Sequence, residues 1–267
     1  MIEITLFLII LFSILSSGNF FYTKIFQILK IETKQNFYFD LINIFSISIV
    51  INYFIIWLVG LISIDLIFFI LFYFLCLILF AKPFYLFLKE NIIKQNKKFL
   101  DLTNDKKIII LAIIFYFIIL LLNSAASPVD FDSLHYHLLI PKKYIEEGYI
   151  NIDHAWGGFD FFPFLIEYFA IIFLLFNIES GIQFLNVFIT LNIIFCIYNL
   201  GILLRINIYQ NLLAIIFFIL IKNIIWLSGT SHNELLLCFF YMSAFINLIK
   251  IFENKNYLKL FSVACVG

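Results

Sequence analysis

Residues 130–139 read DFDSLHYHLL, a run that sets two carboxylates, a hydroxyl and two imidazoles side by side with no lysine among them. Asp130 and Asp132 lie two apart after Pro128, so in an extended loop both carboxylates point the same way. Such a pair can grip a divalent cation, or one acid can take a proton while the other orients it. Exposed carboxylates are ionised at neutral pH and ready to accept that proton. The plainer alternative is that Asp132 or Ser133 caps a helix. His135 and His137 have a metal-pair spacing for a strand, but on a helix residues two apart point about 200° apart and share an ion poorly. Their reading is as interfacial side chains with one wet edge, placed to touch substrate.

Further ionisable residues border apolar runs. Asp160 and Glu167 bracket the start of an apolar stretch at 161–176, and Glu167 must face the protein interior or the headgroups to avoid lipid. Glu234 opens the last apolar run, where an acid serves as a further catalytic carboxylate or simply complements the helix dipole. Lys222 lies inside an apolar run, and it either snorkels outward or meets an anionic phosphate at the membrane face. His232 has polar neighbours on both sides and reads as a solvated turn residue. There is no Ser-His-Asp arrangement, no Gly-rich phosphate loop and no zinc spacing.

These side chains need a scaffold, and composition defines its class. The chain is 64% hydrophobic and 13% charged with a mean hydropathy of +1.08, far from soluble proteins, in which roughly a quarter of residues are charged. It reads as an all-α, polytopic transmembrane helix bundle. A net charge of zero offers no field to attract nucleic acid, so that class of partner is set aside. Cys76, Cys196, Cys238 and Cys265 sit in or beside apolar runs without a CxxC pair and read as small buried hydrophobes. No Lys or Arg precedes the first apolar run, which predicts a retained first helix rather than a cleaved signal peptide. Residues 261–267 are apolar without a polar cap, as if another helix begins there, and this predicts a chain truncated at its C-terminus.

Seven stretches have the length needed for a hydrocarbon core of about 30 Å: 4–22, 41–62, 66–81, 108–123, 182–204, 212–228 and 235–249. The eighth, 161–176, decides the topology. If it lies in the interface or dips in and returns, all basic residues except Lys142, Lys143 and Lys222 fall on one side, as the positive-inside rule requires. The expected organisation is then N-terminal membrane helices with a basic cytoplasmic loop over 1–107, followed by a membrane core over 108–267 whose outer loop covers 124–161. Within that loop Leu134, Leu138, Tyr144 and Ile145 recur at helical spacing, with Lys142, Lys143, Glu146 and Glu147 on other faces and Gly148 as the stop. This predicts a surface-lying helix, and it sets the acids of the loop and of the turn 229–234 on one outer surface.

The segment Asp132-Ser133-Leu134-His135-Tyr136-His137-Leu138, with Pro141, Gly148-Tyr149-Ile150 and then Phe162-Pro163 leading to Glu167, resembles the first outer loop of GT-C superfamily glycosyltransferases. The likeness is to the bacterial branch related to protein O-mannosyltransferases and lipid A aminoarabinose transferases, and it covers roughly 108–267. It implies a multi-pass enzyme of the cytoplasmic (inner) membrane that moves a sugar from a polyprenyl-phosphate donor to a hydroxyl acceptor at the outer face. It further implies Asp132 as catalytic base or metal-contacting carboxylate, helped by Asp130, with Asp160 near the donor phosphate. Glu234 stands where the family usually carries Asp, and Asp132-Ser133, preceded by Asp130, departs from the usual acidic doublet on which metal binding would rest; a divalent ion held by Asp130 and Asp132 is the one cofactor considered. Lys222, His135, His137 and Glu167 complete the expected substrate contacts. The competing class is a transporter or flippase for a lipid-linked saccharide, and a non-catalytic membrane fragment is the third.

Overall fold

The computed structural model describes residues 2–29, 36–126, 128–130, 132–151 and 165–253, and the regular structure among them is entirely helical. The chain forms α1 (Ile2–Leu29), α2 (Phe37–Gly60), α3 (Leu66–Leu100), α4 (Asn104–Asn123), a π-helical turn (Ser133–His137), α5 (Leu139–Glu147), α6 (Leu165–Leu175), α7 (Gly181–Leu203), α8 (Ile208–Ile219), α9 (Lys222–Ser228) and α10 (Glu234–Glu253). Polar caps mark several starts: Asn36, Asp65 and Asn207 each accept a hydrogen bond from a backbone N–H of the first turn of α2, α3 and α8.

Four helices, α1, α2, α3 and α7, are long and apolar enough to cross a membrane. The expected span 212–228 is instead broken into α8 and α9, which meet at a bend of 70° and make a fifth crossing only if taken together. The expected fourth and seventh spans correspond to α4 and α10, each of 20 residues, and neither is among the four. Asp105, Lys106 and Lys107 occupy the first turn of α4, and Glu234 and Lys250 bound the apolar part of α10. The expected runs 108–123 and 235–249 lie inside these two helices, which continue through the charged residues at their ends. The 11 described residues of α6 reach about 16 Å, about half of a hydrocarbon core.

One core joins both halves of the chain: Phe7 and Phe45 pack in the same cluster as Phe184 and Phe239. At its centre is α7, which touches α1, α2, α4, α6, α8, α9 and α10, while α3 and α4 turn most of their apolar side chains outward. Glycine decides how closely α1 and α2 approach. A Cβ on Gly18 would overlap Ser48 Oγ and stand 2.8 Å from the Ile44 carbonyl oxygen. Gly18→Leu is therefore expected to cost about 1–3 kcal/mol, read as a lower melting temperature. Adding Ser48→Ala recovers only part, because the carbonyl remains; an unchanged melting temperature for Gly18→Leu would show that α1 and α2 separate freely.

The hydrogen bonds define two ends of the bundle. At one, Ile64 N–H donates to Gly148 O, Ile150 N–H to Gly60 O (both 2.6 Å), and Ser180 to Glu3 (3.0 Å). At the other, Tyr22 donates to Asp40 (2.6 Å) and Asn36 to Asn199 (3.2 Å). The segment from the π-helical turn through α5 crosses the first end. The expected single helix there is two pieces, because Pro141 has no N–H to continue an unbroken ladder and is tolerated only in the first turn of a new helix. The break also changes the buried face: Leu138, Ile140 and Tyr144 are inside, while Leu134 is exposed. Gly148 ends α5 as expected, at φ 80°, a backbone conformation that glycine adopts without strain.

Candidate functional site

Two connections meet at this end, the loop after α4 and the turn before α10. Ser231 N–H donates to Ser133 Oγ at 3.0 Å, and His232 Nε2 lies 3.2 Å from Asp130 Oδ2. The same oxygen of Asp130 accepts the Ser133 N–H at 2.9 Å. It is thus Asp130, not Asp132, that secures the start of the π-helical turn; Asp132 makes no side-chain capping bond. On the far side of the imidazole, His232 Nδ1 lies 3.6 Å from Glu234 Oε2. His232 therefore stands between two carboxylates, with its ring 4.7 Å from that of Trp226 and 5.2 Å from that of His137.

The turn carrying His232 is held from inside the bundle by α7. Asn186 Nδ2 donates to the carbonyls of Thr230 (2.7 Å) and His232 (2.8 Å), and Gln183 Nε2 donates to that of Gly229 (2.9 Å). A deeper pair lies beside the cluster: His137 Nδ1 is 2.6 Å from Glu167 Oε1, with both side chains almost fully buried. The second carboxylate oxygen of Glu167 has no hydrogen-bond partner among the described residues. α6 brings Glu167 inward, as its exclusion from lipid predicts, and the break before Pro141 lets His137 meet it.

Asp132 differs from all of these. It is half-buried, and among the described residues its carboxylate makes no hydrogen bond or ion pair. Glu234 is the other accessible acid, with 56% of its side chain exposed. Lys222 is exposed at the start of α9, without an ion pair among the described residues and one helical turn from Trp226, whose ring rests on His232. Asp160 lies outside the described residues, and so does the side chain of His135. Thus Asp130 and Glu234 are brought together through His232, His137 is joined to Glu167, and Asp132, nearby in the chain, is unengaged among the described residues.

Sequence reasoning passed over His232, Asn186 and Gln183. Far from being solvated, His232 is 4% exposed and central to the cluster. The signal for the α7 pair was present: Gln183, Asn186 and Thr190 follow helical spacing in an otherwise apolar run, and such amides need partners inside a membrane protein.

Burial alone would raise the Asp130 carboxyl, but hydrogen bonds from the Ser133 hydroxyl and N–H, together with His232, outweigh it and hold the group below its ordinary value of 3.8. A depressed folded value stabilises the fold fully above the unfolded one and loses that stabilisation as pH falls through the folded value. Wild type is accordingly expected to be more stable than Asp130→Asn at neutral pH, with the gap closing as pH drops below 3.8. Denaturant unfolding at a series of pH values measures this, and a gap independent of pH would refute the ionic role.

Among the described residues no three His, Cys, Asp or Glu side chains are grouped to hold a metal ion, and Asp130 already accepts bonds from Ser133 and His232. The bundle and its polar end define a multi-pass membrane protein with a buried histidine–carboxylate cluster at one end. The chain matches no protein-family model, no curated protein and no solved structure.

Proposed function

We infer that this chain is a membrane glycosyltransferase of the GT-C type, moving a sugar from a polyprenyl phosphate to a hydroxyl acceptor at the outer face of the cytoplasmic membrane. One observation carries the reading: the loop after α4 and the turn before α10 meet through Asp130–His232 and Ser133–Ser231, which leaves Asp132 as a carboxylate without a partner among the described residues. A general base needs a free lone pair aimed at solvent, and a firm mount. Asp130 and His232 supply the mount, and Asp132 supplies the lone pair.

In the proposed step the acceptor hydroxyl attacks the anomeric carbon, its proton passes to Asp132, and the bond from that carbon to the phosphate oxygen breaks. Polyprenyl phosphate leaves with the electron pair. Lys222, exposed one turn from Trp226, is the cation nearest in sequence to the turn of His232 and balances the phosphate charge. The test is transfer by the purified full chain in liposomes, from radiolabelled polyprenyl-phosphate sugars to a panel of hydroxyl acceptors, with a lipid-free glycoside as the expected product.

Sidedness is tested separately by impermeant thiol labelling of Val129→Cys and Asn207→Cys in a cysteine-free background. Both positions are exposed, and label is expected from outside on the first alone. Labelling of Asn207→Cys alone would overturn the outer site. One observation favours a carrier for a lipid-linked saccharide instead: the 70° break between α8 and α9, since broken helices recur at transporter binding sites. Movement of the donor across a bilayer without sugar transfer would decide for it.

A further inference from the structure

We propose that the opposite end of the bundle binds the phosphate of an anionic phospholipid from the adjoining leaflet, in a cavity between α2, α3 and α7. The cavity has a volume of about 660 Å³ and is lined by Lys94, Lys97 and Lys98 of α3, by Tyr38 of α2 and by Tyr198 of α7, with no acidic residue in its wall. Positions 94, 97 and 98 share one face of a helix, so the three ammonium groups stand together over one opening. None has an ion-pair partner among the described residues.

The floor is aromatic. The rings of Tyr38 and Tyr198 meet edge to face at 5.0 Å, and their hydroxyls make no hydrogen bond among the described residues, which leaves two donors for a phosphate oxygen. Asn36, at the rim, is tied to Asn199 at 3.2 Å and joins the two walls.

The position of the cavity favours a lipid over a soluble anion. α3 has 35 residues, about 52 Å, and so overruns a hydrocarbon core of about 30 Å. The ring of Phe37 in the first turn of α2 lies 5.8 Å from that of Phe87, and the lysines lie about two turns further along α3, past Lys89, Glu90 and Asn91. Below and beside them Leu86, Ile92 and Ile93 are exposed. A headgroup phosphate among the lysines would lay its acyl chains along these residues, whereas a free phosphate gains nothing from them. Basic pockets between membrane helices hold anionic headgroups on these grounds.

The experiment measures binding of phosphatidylglycerol, phosphatidylcholine and inorganic pyrophosphate to the full chain in mild detergent, by native mass spectrometry and melting temperature. Wild type is expected to bind phosphatidylglycerol saturably and to melt higher with it, and to do neither with phosphatidylcholine. Lys94→Gln, Lys97→Gln, Lys98→Gln together weaken that binding about 100-fold, the loss expected for three lysines beside an anionic surface. Lys82→Gln, Lys89→Gln, Lys106→Gln, which removes equal charge from neighbouring positions, leaves it within about threefold, because screened surface charge acts weakly. Equal losses in the two triple variants would replace the site by diffuse attraction. Pyrophosphate binding as tightly as the lipid would move the ligand into solution, and either result overturns the proposal. Tyr38→Phe with Tyr198→Phe keeps every charge and is expected to weaken the same lipid, which gives a second reading should the lysine variant fold poorly.

Discussion

Asp132→Asn is expected to lower the turnover of sugar transfer by about 10²–10⁴-fold, the usual contribution of a positioned general base, while the melting temperature stays where it is. Both halves of that outcome come from the same geometry. Asp132 has no hydrogen bond or ion pair among the described residues, so asparagine removes a proton acceptor without removing a contact. Substitutions at such positions normally change stability by no more than about 0.5 kcal/mol. Asp130→Asn should behave differently, because its carboxylate accepts from Ser133 N–H and faces His232, so transfer and stability fall together. Single-turnover transfer assays on both variants, with melting curves, separate the two roles. Transfer unchanged in Asp132→Asn would end its assignment as base.

His137→Ala should be the most destabilising of the substitutions at this end. It strands the Glu167 carboxylate in a nearly water-free interior, where the loss of one partner of a buried pair costs about 3–5 kcal/mol. For a chain of this size that is a fall of about 6–20 °C in melting temperature. The double variant His137→Phe, Glu167→Leu is expected to regain most of the loss, since apolar residues of similar volume replace a buried pair at little or no cost. Melting curves of wild type, both single variants and the double close the cycle. Single and double variants melting alike would show that the pair is not coupled.

Much of the scaffold was legible because it depends on one-dimensional properties. The long apolar runs became α1, α2, α3 and α7, Gly148 stopped α5, and the inward turn of Glu167 followed from the cost of a carboxylate in lipid. What escaped depends on three-dimensional meeting. His232 is ordinary in sequence and becomes central only when the turn 229–234 folds onto Ser133, and His137 finds its acid 30 positions away. The break between α8 and α9 falls at Leu220 and Ile221, where neither glycine nor proline marks it. The runs 108–123 and 235–249 marked α4 and α10 but not their ends, because the charged residues beside those runs also take part in the helices.

The two bonds that join the loop to the turn connect residues 98 and 102 positions apart. On the ribosome that separation is a delay of about 5–20 s at ordinary rates of synthesis. Throughout it Asp130 and Ser133 have been made and their partners have not, and Asn186 and Gln183 hold no turn. A nascent chain arrested before Ser231 therefore carries most of its helices but no histidine between its carboxylates. The polar end is closed only when the turn before α10 has been made, so α1 to α9 exist before their polar residues are paired, and α10 joins the core after that turn.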